Sequence, residues 1–160
     1  MKSISLKFCI FNIIALISLV PSLAESSMKF SDRIEEYVLA NGLKVILIED
    51  KRSPAIVSSI WYNVGSSYEY SGVSGISHVL EHMMFKGTKN TLPGDFSKRI
   101  KEVGGSENAF TGRDFTGYYQ KIHKDYLELS LKLESDRMSN ILFSEEEFKK
   151  EGGQDRRLSV

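Results

Sequence analysis

The spacing of apolar positions changes repeatedly along the chain, and each change marks an element. Tyr37, Val38 and Leu39 lead into Asn41-Gly42, and Leu43, Val45, Ile46, Leu47 and Ile48 follow, a pattern that predicts a β-hairpin. Ile56, Val57, Ile60, Trp61, Tyr62 and Val64 make the run from Ala55 to Val64 a buried strand that stops at Gly65. From Val73 to Phe85 the period lengthens, with Ile76, Val79, Leu80, Met83 and Met84 at helical spacing and Gly87 as the stop. A second helix is predicted from an Asp95 N-cap to Val103, ended by Gly104 and Gly105. Strand pattern returns at Asn108–Thr111 and Phe115–Ile122 around a turn at Gly112 and Arg113, a helix follows from Asp125 to Asn140, and Ser144 with Glu147 forms a capping box for a last helix. This order predicts an α+β fold, with helices packed on one face of a mixed or antiparallel sheet.

The first 24 residues stand apart. They hold Lys2 and Lys7 and no acid, an apolar run from Phe8 to Val20, and then Ser22, Leu23 and Ala24. That is the pattern of a secretory signal peptide cleaved after Ala24; the apolar run is short for a membrane span of roughly 20 residues, and an uncleaved N-terminal anchor is the other reading. Export to the periplasm is the first expectation and secretion the second, with the membrane met only through the signal. Removing 24 of the 160 residues leaves 136, with 19 basic side chains against 21 acidic, a net charge of −2 without a basic patch for nucleic acid. The only cysteine, Cys9, lies inside the signal, so any metal bound by residues 25–160 is held by His and carboxylates.

The predicted helix after Val73 carries His78, Glu81 and His82. At 100° per residue they fall at about 0°, 300° and 40°, one arc opposite an apolar face centred near Ile76 and Leu80. Two imidazoles at i and i+4 can share one zinc ion at about 2.0–2.1 Å, and a carboxylate beside them can take a proton from water on that ion. The plain alternative is an exposed His-Glu-His face with no metal.

The string His78-Val-Leu-Glu-His82 inverts the common zinc-protease order and matches the inverzincin signature. With its flanks, from Gly75 to Thr88, it resembles the pitrilysin-type (M16) family of zinc peptidases. The resemblance extends over roughly residues 35 to 151, through Asn41-Gly42-Leu43, Tyr62 to Ser66, Gly104-Gly105, Asn108 to Thr111 and Asp114 to Tyr119. It implies Zn2+ as cofactor, His78 and His82 as its ligands and Glu81 as the catalytic base. It also implies that Asn108 and Ala109 lie on an edge strand that pairs with an extended peptide, a mode whose affinity comes from backbone hydrogen bonds. The alternative for that segment is an ordinary hairpin strand.

The family takes its third ligand from a glutamate seven residues beyond a supporting glutamate on a downstream helix. By their flanks Glu151 matches the supporting residue and Asp155 the ligand, yet they stand four apart, and Gly152, Gly153 and Gln154 between them are poor helix formers. Three possibilities follow: Asp155 reaches the metal, Glu151 substitutes for it, or the site is incomplete. Family members resemble two homologous halves closing on the substrate, so the chain is expected to be a truncated N-terminal domain (residues 25–160) whose partners are a peptide or unfolded protein and a second half or subunit. The resemblance implies a zinc metalloendopeptidase. The alternatives are a non-catalytic peptide-binding or partner module and an inactive fragment of such an enzyme.

Overall fold

The computed structural model describes residues 30–154. The expected signal peptide at 1–24, with Cys9, and the expected ligand Asp155 lie outside them. Two compact units divide the chain after Asp50.

The first unit contains the expected hairpin, β1 (Ile34–Val38) and β2 (Lys44–Ile48), paired antiparallel with Ile34 opposite Ile48 and Val38 opposite Lys44. Its turn is closed by bonds from Leu39 N to Leu43 O (2.9 Å) and Gly42 N to Leu39 O (2.8 Å), and the Asn41 side chain accepts from Leu43 N.

In the second unit β3 (Ala55–Tyr62), β4 (Ser106–Thr111) and β5 (Thr116–His123) form an antiparallel sheet in the order β3-β5-β4. Four helices accompany it among the described residues: α1 (Ile76–Met83), α2 (Asp95–Glu102), α3 (Leu127–Asn140) and α4 (Glu145–Gln154). Burial alternates along β3, so Ile56, Ser58, Ile60 and Tyr62 share the more buried face while Val57 and Trp61 stay open, as the two-residue period of a strand dictates. Phe96 and Ile100 of α2 and Leu133 of α3 close on Ile122 of β5 and Ile56 of β3 to make the core. The α+β class and the antiparallel sheet are as the sequence pattern predicts.

Four local expectations are corrected. Gly94, not Asp95, occupies the N-cap of α2, and Asp95 instead accepts from Leu92 N at 3.2 Å. The Ser144 box is half-formed: Ser144 Oγ lies 3.4 Å from Glu147 N, but the Glu147 carboxylate turns to Lys86. Gly152 and Gly153 do not stop α4, which runs on to Gln154. Leu80, at the centre of the apolar face expected for α1, is 39% exposed, while Val79 and Met83 on one flank and Ser77 and Glu81 on the other are buried. The reason is that α1 meets β4 through Glu81 and α4 through His82, so its burial is divided around the circumference.

The core also holds charge. Arg137 of α3 is 1% exposed, its guanidinium 4.9, 4.5 and 4.4 Å from the ring centres of Phe85, Phe96 and Tyr118. It donates through Nη2 and Nε to the two carboxylate oxygens of Glu134 (2.5 and 3.2 Å), and Gln120 Nε2 donates to the same carboxylate at 2.6 Å. Ser130 Oγ completes the chain by donating to Gln120 Oε1 at 2.8 Å.

Candidate active site

Two backbone features set where α1 begins. Gly75 takes φ +91° at the N-cap, a left-handed conformation that side chains disfavour. Glu69 then spans the helix start, its Oε2 accepting from Gly75 N (2.8 Å) and its Oε1 from Ser77 N (3.0 Å), so a carboxylate satisfies two amides that the helix leaves open. The short 3-10 turn Ser66–Tyr68 that leads to Glu69 is pinned to the β4–β5 turn: Ser66 N donates to Gly112 O (3.0 Å), Ser67 N to Arg113 O (2.8 Å) and Ser67 Oγ to Asp114 Oδ1 (2.6 Å). Gly65 permits this approach, because a Cβ there would lie 2.4 Å from the Gly112 carbonyl oxygen.

A cleft of about 460 Å³ opens between these parts, with His78, Glu81 and Glu69 on one side and Ala109 and Thr111 of β4 on the other. The rings of His78 and His82 sit edge to face, 4.6 Å between centres. Glu81 is buried and accepts a hydrogen bond from the Thr111 hydroxyl. Ala109 lines the cleft, whereas Asn108 falls on the opposite face of the strand, opposite Tyr119 in register. The Asn108 side-chain oxygen accepts from Ala109 N at 2.9 Å.

Glu151 of α4 is brought to His82 from 69 residues away, with 2.8 Å between Oε2 and Nδ1. Its other oxygen lies 2.6 Å from Lys86 Nζ, and Lys86 also reaches Glu147 Oε2 at 3.0 Å. The bonds from Lys86 and then from His82 hold the Glu151 carboxyl below the usual glutamate range, and the same contact with Glu151 raises Lys86. A carboxylate can only accept, so Nδ1 of His82 is the donor in this contact, and in the neutral ring that leaves the lone pair on Nε2, the tautomer suited to metal binding. Both Glu151 oxygens are thus engaged, one by His82 and the other by Lys86. The donors fit zinc in kind, two imidazoles backed by a carboxylate; among the described residues no three His, Cys, Asp or Glu side chains gather as a metal-binding group.

Lys86, Thr111 and Glu69 were not singled out by the sequence. The signal for Thr111 and Lys86 was their place in segments already read, the strand after Asn108 and the flank after His82. Glu69 stood in a polar stretch without period.

The family model for insulinase (peptidase family M16) matches residues 44–157. Zinc protease PqqE of Helicobacter pylori (strain ATCC 700392 / 26695) is 40% identical over 115 residues, 71% of this chain and 26% of that protein. The uncharacterized zinc protease YmxG of Bacillus subtilis (strain 168) is 33% identical over 118 residues, 74% of this chain and 29% of that one. Among solved structures, a protease from Helicobacter pylori superposes with a TM-score of 0.72 at 39% identity, covering 75% of this chain and 29% of its own. Pitrilysin gives 0.68 at 27% identity, covering 74% and 13%. The chain belongs to the insulinase family of peptidases, M16, and spans less than a third of the length of these relatives.

Proposed function

We propose that this chain carries the zinc-binding part of a metalloendopeptidase site acting on peptides or unfolded segments. The observation that supports the reading best is the Glu151 contact at His82 Nδ1, which leaves Nε2 available beside His78 one helical turn earlier. His78 and His82 hold the metal, and Asp155 is the third donor. Zinc, when bound, supplies a Lewis acid that polarises a carbonyl and lowers the pKa of water toward about 7. Glu81 takes the proton of the attacking water and returns it to the leaving amine, with Thr111 holding one of its oxygens. Substrate pairs with β4, which has β5 on one side only; the Ala109 amide, bonded within the strand to Asn108, is exchanged to the incoming backbone. A second homologous half or subunit completes the site, and residues 1–24 direct export to the periplasm.

The test is the zinc-to-protein ratio after dialysis against a weak chelator, for the wild type and for Asp155→Ala and Glu151→Ala. A ratio near one that falls in Asp155→Ala supports the ligand set. A ratio near zero in the wild type refutes it and leaves a peptide-binding module without metal. Peptidase activity, assayed alone and with a second half supplied, should vanish in Glu81→Gln, and full activity in that variant removes Glu81 as the base.

A further inference from the structure

We infer that Lys86 is a positioning residue for the zinc site, acting through Glu151 to fix the tautomer and ring orientation of His82. The inference rests on the reading of His82 as a ligand. Lys86 lies four residues after His82, just past the end of α1, where its amide donates to Met83 O at 3.0 Å. The two residues therefore approach α4 from the same end of the motif helix and meet on one carboxylate, His82 Nδ1 at Oε2 (2.8 Å) and Lys86 Nζ at Oε1 (2.6 Å).

This geometry assigns a separate task to each oxygen of Glu151. Oε2 can hold the Nδ1 proton of His82 only while the carboxylate plane stays turned toward the ring, and a glutamate has a broad terminal torsion that does not fix that plane by itself. The charge-assisted bond to Lys86 fixes it. Glu147 adds a second demand. It stands one turn before Glu151 on α4, where two like charges repel, and Lys86 Nζ lies 3.0 Å from it as well. Lys86 thus bridges both carboxylates and draws Glu151 into place, while Lys150 Nζ stands 4.0 Å from the other Glu147 oxygen. Without it, Glu151 is a buried carboxylate facing Glu147, and its swing toward solvent frees His82 to carry the proton on Nε2, the atom a metal requires bare.

The experiment compares wild type, Lys86→Met and Lys86→Arg. Long-range nitrogen–proton NMR of the metal-free proteins reads the imidazole tautomers, and a competing chelator reads the zinc Kd. In wild type His82 should be a single Nδ1–H tautomer. Lys86→Met should show a mixture with Nε2–H and a zinc Kd about 10–100-fold weaker. Lys86→Arg, which keeps the charge and donors, should restore both to within a few-fold. A Lys86→Met protein with the wild-type tautomer and affinity overturns the inference and leaves Lys86 a structural ion pair. Should that variant fail to melt cooperatively, Lys86→Gln takes its place, judged by the same readouts. The tautomer is read without metal, so a wild type that binds no zinc refutes the proposed function and with it the zinc role of Lys86, while the control of the His82 tautomer by Lys86 through Glu151 still stands or falls on the spectrum.

Discussion

The Thr111 hydroxyl donates to a carboxylate oxygen of Glu81, joining the edge strand of the sheet to the helix that carries both motif histidines. One bond therefore sets the position of the proposed base relative to the strand that the substrate is proposed to follow. Glu81 is buried, so the donor does more than restrain a rotamer: it replaces water that the carboxylate has lost. Thr111→Val, which keeps the shape and removes the hydroxyl, should cost about 1.5–3 kcal/mol of stability in urea unfolding, and Thr111→Ser should recover most of it. Zinc affinity should not change, because the Thr111 hydroxyl bonds to Glu81 and has no part in the contact between His82 and Glu151. An unchanged urea midpoint for Thr111→Val would show that Glu81 finds another donor.

Glu69 is a second anchor of the same helix. Its two oxygens serve the amides of Gly75 and Ser77, so Glu69→Ala opens both at once at the positive end of the helix dipole. The expected loss is about 1 kcal/mol, in the range of a helix cap. Glu69→Gln keeps one acceptor oxygen and should fall between Ala and wild type. Equal stabilities for Ala and wild type would remove Glu69 as a cap.

The three motif residues and the elements that carry them were legible because they depend on local pattern. His78, Glu81 and His82 share a face through the helical period alone, and Asn41-Gly42 specifies its hairpin within a few residues. What local pattern does not give lies across long separations: Thr111 meets Glu81 over 30 residues, and Glu151, to which only the resemblance to a family's supporting glutamate pointed, meets His82 over 69. The failed expectation at Leu80 has the same origin. A helical wheel gives one buried face only when neighbours lie on one side, and α1 is held by a strand and a helix on different sides. Gly152 and Gly153 remain helical for a related reason, since the Glu147 and Glu151 contacts to Lys86 anchor the turn before them and propensity is a weak preference beside tertiary contacts.

Arg137 and Glu134 form a buried pair whose halves depend on each other. Arg137→Met should destabilise the fold by about 3–5 kcal/mol, because Glu134 is left charged in the core with Gln120 as a remaining donor. The double variant Arg137→Met with Glu134→Gln should regain a substantial part of that loss, since the amide has no charge to strand. Urea midpoints for the two singles and the double form a cycle that measures the coupling. Additive losses would mean that packing against Phe85, Phe96 and Tyr118, not the charge, makes Arg137 necessary.

Asp136 gives the fold an acid-sensitive contact. Burial pushes its carboxyl up, but side-chain bonds from Thr88 (2.5 Å), Asn90 and Asn140 (2.8 Å) outweigh burial and hold it below the ordinary 3.8. Its folded pKa thus lies under its unfolded value, so the unfolded chain binds the proton more readily and the contribution to stability has a definite sign. That contribution is present in full above the unfolded value and is lost as pH falls through 3.8 and on through the lower folded value. Asp136→Asn should be less stable than wild type at neutral pH, with the difference narrowing as the pH drops below about 4. Melting temperatures of both proteins between pH 7 and 3 check this, and a gap that stays constant across that range would show that the Asp136 charge does not hold the loop from Thr88 to Thr91.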